Sequence, residues 1–170
     1  MLHHTGPRGC PPQGVGPVTD NPSLPLIKAL LHSQVQGTLA VLQSDGPKQH
    51  LMAFASRGID EIWMATDIRS GKYKDIRASP KVSFLIDDRA GKLADHFEAL
   101  VGSVTGALVA VETPRQALVL SALADRHPNL RQFFSAETTI ALCLDVHRWH
   151  IVRDFEHVSV YEPNSGVPPK

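Results

Sequence analysis

The chain has 170 residues, 42% of them hydrophobic, and its 17 lysines and arginines are balanced by 17 aspartates and glutamates. A domain of this size buries about 70% of its unfolded surface and folds without disulfides or a structural metal, and zero net charge excludes the global basic field of a nucleic-acid or anionic-membrane binder. No apolar run reaches the ~18 residues of a membrane span and no signal-peptide core opens the sequence, so the expectation is a soluble, cytoplasmic protein with two free thiols, Cys10 and Cys143.

Residues 1–22 hold five of the thirteen prolines and almost nothing to bury, the composition of a flexible N-terminal arm. Within it His3, His4 and Cys10 could meet at a metal, but composition favours a plain tail. From Ser23 the spacing of Leu26, Ile27, Leu30, Leu31 and Val35 predicts an amphipathic helix. Ser23 is its expected cap, Pro25 sits in the first turn and Gly37 ends it.

Short strands follow over 38–43, 48–56 and 61–66, separated by turns at 44–46 and 57–60. A buried strand is expected over 80–88, then a long one over 99–112 whose glycines imply a bend or bulge. Residues 113–128 read as a second helix, capped by Thr113, with Pro114 at its first position and Pro128 as its stop. Three closing strands, 139–146, 148–154 and 157–163, complete a domain over 23–162, with residues 163–170 as a tail. Many short antiparallel strands with a few helices imply a mainly β fold, a small closed or split β-barrel with flanking helices.

Between the strands at 61–66 and 80–88 lies the stretch TDIRSGKYKDIRASPKVSF, Thr66 to Phe84. Ser70 is placed to cap a short helix over 71–78, and Pro80 stops it, because the residue before a proline is pushed out of the helical region. A helix N-terminus presents unpaired N–H groups and a partial positive charge, which suits a phosphate. The hydroxyls of Thr66 and Ser70 could donate to its oxygens, with Lys72 and Arg69 supplying charge. The plainer reading is a capped surface helix with solvated basic residues, and spacing alone does not separate the two.

The run MATDIRSGKYKDIRASPKVSFLID resembles the signature of the pyridoxamine 5′-phosphate oxidase-like, FMN-binding split-barrel superfamily. The hairpins LAVLQSDGPKQHLMAFASRGIDEIWMAT and the glycine of VTGALVAVE fit the same pattern, over about residues 24–162. The resemblance implies a homodimer with one FMN per subunit in a groove at the interface. It implies that Thr66, Ser70 and Lys72 hold the FMN phosphate, with Gly71 contributing backbone alone where the oxidases have an arginine. The strand carrying His50, Leu51, Met52 and Ala53 would pass under the flavin ring. His50, Met52 and Phe54 share one face of that strand, because side chains alternate.

His50 stands where the oxidases have a phosphate-binding arginine, Ala55 where they have a substrate-binding lysine, and Val101 where a glutamine commonly touches the ring. The C-terminal Arg-x-His substrate motif has no counterpart in HRWHIVRD. These departures argue against vitamin B6 oxidation. No proton donor stands out, and His50 is the best ionisable candidate near the ring.

Some relatives in the superfamily bind haem through a C-terminal histidine, which draws attention to His147, His150 and His157. On a regular strand His147 and His150 face opposite ways and could share an ion only across a bulge. Trp149 could reach a flavin edge from a partner subunit or lie in a core. Asp95, His96 and Glu98 follow a Gly/Lys loop and are explained by turn chemistry. No Gly-x-Ser-x-Gly, Walker or Rossmann motif occurs. The basic residues around Lys72 alternate with acids and lack a stacking platform, so nucleic acid is not expected. The function expected is an FMN-dependent oxidoreductase of unspecified substrate and electron donor. The alternatives are a non-enzymatic flavin-binding or sensing module, or a haem- or F420-binding relative.

Overall fold

A computed structural model describes residues 21–163. The expected arm and tail, with His3, His4 and Cys10, lie outside the described residues apart from Asn21, Pro22 and Pro163. The element order is α1 (Ser23–Ser33), β1 (Gln36–Gln43), β2 (Gly46–Ala53), β3 (Ala55–Arg57), β4 (Glu61–Asp67), α2 (Gly71–Ala78), β5 (Lys81–Asp87), α3 (Asp95–Glu98), β6 (Val101–Ala110), α4 (Thr113–Arg126), a 3-10 turn (Pro128–Leu130), α5 (Arg131–Phe134), β7 (Thr139–Arg153) and β8 (His157–Tyr161).

All pairings are antiparallel, in the order β2-β1-β5-β6-β7-β4-β3, with β8 added to the C-terminal part of β7. The edge strands β2 and β3 stand at opposite ends of that order, yet Phe54 alone separates them in the chain. The sheet must therefore curl until its two ends meet, which gives the expected split β-barrel. Alternating residues fill the interior: Leu39 and Val41, Phe84 and Ile86, Val104 and Leu108 all point inward. α1 adds Ile27, Leu30 and Leu31 to this core, and α2 adds Ile76. A second, smaller core lies outside the barrel, where Val119 and Leu123 of α4 pack with Trp63, Ala141 and Cys143.

The closing part of the chain differs from the expectation. The predicted strands at 139–146 and 148–154 are one strand, β7, carrying a bulge at His147: Thr105 pairs with Arg148 while Gly106 pairs with Val146. One extra residue shifts the side-chain parity, so Leu142, Leu144 and Val146 point inward before the bulge and Trp149 and Ile151 after it. That break in period is what divides the strand in the sequence. Gly106 is obligatory opposite it, since a Cβ there would lie 2.0 Å from the Asp145 carbonyl oxygen.

Both predicted helix caps shift by one residue, to Pro22 for α1 and Glu112 for α4. Ser23 is the first helical residue of α1; its N–H donates to Asn21 Oδ1 and its hydroxyl to Ser159 of β8. α1 ends before Gly37, which lies within β1, and Val35 is exposed instead of on the buried face. The last carbonyls of α1 are satisfied by the Arg126 guanidinium, which donates to Leu31, Gln34 and, more distantly, His32. The predicted 48–56 strand is interrupted at Phe54, where the barrel changes edge.

Candidate functional site

The helix expected over 71–78 is present with Ser70 as its cap: the Ser70 hydroxyl oxygen accepts the Tyr73 N–H at 3.2 Å. Thr66, buried at the end of β4, brings its Oγ1 to 3.1 Å from the Ser70 hydroxyl. Between them Asp67 anchors the turn. Its carboxylate accepts from the Arg69 N–H, from the Arg69 guanidinium and from the Thr138 hydroxyl, which together hold its pKa well below the usual carboxylate range. Arg69 is thereby committed to Asp67, which corrects the expectation that its charge is open to a phosphate.

From the second position of α2, Lys72 reaches across to β2, where its Nζ lies 3.2 Å from the Met52 sulfur. A thioether is a weak acceptor, and among the described residues Lys72 has no carboxylate partner. Burial of its ammonium lowers its pKa.

A cavity of about 350 Å³ opens between these groups, within the range of small-ligand pockets, about 300–1,000 Å³. Leu51, Met52 and Ala53 of β2 form one wall; Thr66, Ser70 and Lys72 form its polar end. Six of the eight expected cofactor residues thus meet in one cavity. The other two are not part of its lining. Gly71 is exposed, and a Cβ there would meet nothing within 4 Å. His50 lies beside the cavity, on the same face of β2 as Met52, close enough to feel the charge of Lys72.

The opposite wall is Leu130, Phe133 and Phe134, residues that carry no motif in the sequence. His127 pins the two walls together. It is buried, its Nε2–H donates to the Phe54 carbonyl at 2.8 Å, its own carbonyl accepts the Leu130 N–H, and its ring lies 6.3 Å from that of Phe134.

Other candidates fall elsewhere. Trp149 is fully buried and its indole N–H donates to the Ile59 carbonyl at 2.8 Å, so it is a core residue and does not reach outward. Val101, at the start of β6, does not line the cavity. Asp95 accepts the N–H groups of Ala90 and Lys92, the turn chemistry expected of it. His147 and His157 are exposed beside Asp145 and Asp154, each at 3.7 Å. Cys143 is a free, buried thiol, its pKa raised by burial. No described helix is long and apolar enough to cross a membrane. A second groove of about 390 Å³ lies on the outer face of β1, β5 and β6; its one lysine, Lys81, is exposed, so the desolvated charge that favours an anion belongs to the smaller cavity.

Compared with solved structures, the chain matches a haem-binding protein from Mycobacterium smegmatis with a TM-score of 0.72 at 15% identity, over 80% of this chain and 56% of that one. It also matches a protein from Clostridium acetobutylicum related to general stress protein 26, of the pyridoxinephosphate oxidase family, with a TM-score of 0.65 at 12% identity, over 84% and 95% of the two chains. The fold is that of the pyridoxamine 5′-phosphate oxidase-like split barrels. General stress protein 26 from Bacillus anthracis str. Sterne shares it, with a TM-score of 0.61 at 18% identity over 80% and 95% of the chains. The split barrel described here spans just over half the length of the mycobacterial haem-binding protein. No protein-family model matches the sequence, and no curated protein sequence matches it.

Proposed function

We propose that this split barrel binds FMN, with the phosphate at Lys72, Ser70 and Thr66 and the ring along Leu51–Ala53, and that it works as a homodimeric oxidoreductase. One observation carries the reading. The half-buried Lys72 ammonium has a thioether for company and no counter-anion among the described residues, and it stands at the N-terminus of α2 beside two hydroxyls. A desolvated cation without a partner is costly, and a phosphate at a helix N-terminus offsets that cost. When bound, the flavin supplies the redox chemistry. The chain's own residues fix the phosphate, wall the ring with Leu51, Phe133 and Phe134, and limit access of water. Ala55, where the B6 oxidases have a lysine, is buried in the second core and offers nothing to a substrate phosphate. The substrate is therefore taken to be other than a B6 vitamer.

Haem is the second reading, favoured by the similarity to the mycobacterial haem-binding protein. The visible spectrum of the purified protein tests both. Flavin bands, with FMN released on denaturation, are expected. A Soret band would transfer the argument to the histidines, and a colourless protein that takes up no added FMN would end the flavin reading.

A further inference from the structure

We infer that His50 makes this cavity recognise a phosphate monoester through a proton: the imidazole is neutral in the ligand-free site and becomes charged when a phosphate dianion settles at Lys72. The inference rests on the phosphate reading of the cavity and goes beyond it, since it assigns a linkage between ligand and pH.

The geometry comes first. His50 Nε2 is enclosed by protein and has no hydrogen-bond partner among the described residues. Buried polar nitrogens are nearly always paired, so an orphan next to a candidate anion site points to a missing acceptor or a missing charge. The groups that face it are few. From its own strand comes Lys48, two residues away on the same face. From α2 come Lys72 and Asp75, and from β1 the apolar Leu39 stands directly opposite. The Asp75 carboxylate already accepts from the Gln43 side-chain amide.

The ring therefore sits in a field of two cations and one engaged carboxylate. Burial, and after it the charges of Lys72 and Lys48, hold its pKa below the ordinary 6.5. A phosphate dianion at Lys72 reverses the sign of that field, and the imidazole then takes a proton from solvent onto its free ring nitrogen. No other bond is made, and the proton leaves with the ligand. An arginine in this position would be charged throughout and would give no such linkage. The sign is diagnostic. The ligand's own second ionisation lies at about pH 6, so a phosphate shedding its proton to bind as a dianion releases protons, whereas His50 takes one up.

The test is calorimetric titration of the flavin-stripped full-length chain at about pH 7.5, in buffers of different ionisation enthalpy, with FMN and with riboflavin. The expected result is uptake of about one proton per FMN and none with riboflavin, and an FMN affinity that falls about tenfold per pH unit over the linked range. His50→Gln is expected to bind FMN with no proton uptake, and His50→Arg to bind it with no uptake and a flat pH profile. Circular dichroism confirms the fold of each, and the wild-type proton count stands whether or not either variant folds. FMN binding by the wild type without proton uptake overturns the inference while leaving the flavin reading intact. Uptake that persists in a folded variant also overturns it, because the proton then belongs to Lys72. If FMN is not bound, inorganic phosphate is the second probe. Phosphate binding with proton uptake upholds the role of His50 and ends the flavin reading, and binding of neither ligand ends both.

Discussion

On the flavin reading, Lys72 would cost the ligand-free protein what it contributes to the FMN-bound one. Its ammonium is half-buried against Met52, and desolvation lowers its pKa from 10.5. Between the lowered value and 10.5 the unfolded chain binds more protons than the folded one, so ligand-free stability rises with pH over that range. Lys72→Met removes the buried charge and keeps an apolar stem of similar length. The ligand-free variant is expected to melt at a higher temperature than wild type at neutral pH. Its FMN affinity is expected to fall by about 1.5–3 kcal/mol, the worth of a charge-assisted contact, or roughly ten- to hundredfold. Thermal melts and fluorescence titration check both, and unchanged affinity would remove Lys72 from the site. Thr66, Ser70 and Lys72 were legible because a cap, a stop and a lysine within one short stretch are local chemistry. The long-range part of the Asp67 turn was not, because the Thr138 hydroxyl that also donates to this carboxylate lies 71 residues along the chain.

At the level of elements, the cavity is held by a helix end. The C-cap of α4, His127, is bonded to the β2–β3 junction on one side and to the turn leading into α5 on the other. His127→Phe keeps an aromatic ring against Phe134 but leaves the Phe54 carbonyl without its donor. A loss of about 1–3 kcal/mol is expected from an unsatisfied buried acceptor, read from denaturant midpoints. FMN affinity should fall with it, while binding of inorganic phosphate at Lys72 should hold. A folded variant with undiminished FMN affinity would show that the two walls do not depend on this pin. Helix α2 matched its predicted bounds because its cap, Ser70, and its stop, Pro80, lie within two residues of its ends. β7 did not, because a bulge breaks the alternation by which a strand is recognised. Its signal was nonetheless present in Gly106, whose hydrogen leaves room for the Asp145 carbonyl on the neighbouring strand.

For the whole molecule, the outer face of β1, β5 and β6 presents Ala40, Leu42, Ser83 and Leu85, partly or well exposed, while the two larger helices, α1 and α4, pack elsewhere. We propose that a second copy seats there, giving the dimer that the flavin reading calls for. Sedimentation should give a dimer for the full chain, and Ser83→Arg, which sets a charge on that face, should give a folded monomer with weakened flavin binding. A wild-type monomer that binds FMN tightly would end the dimer proposal. Composition, turn residues and the alternation of apolar side chains are properties of neighbours along the chain. From them the sequence alone determined a mainly β domain, most of its strands, the α2 cap and the hydroxyl–lysine cluster. Closure of the barrel through Phe54, the parity change at His147, the wall of Phe133 and Phe134, and the orphaned nitrogen of His50 were decided by tertiary structure. Each depends on contacts between segments tens of residues apart, and burial, which sets both packing and charge state, exists only once those segments have met.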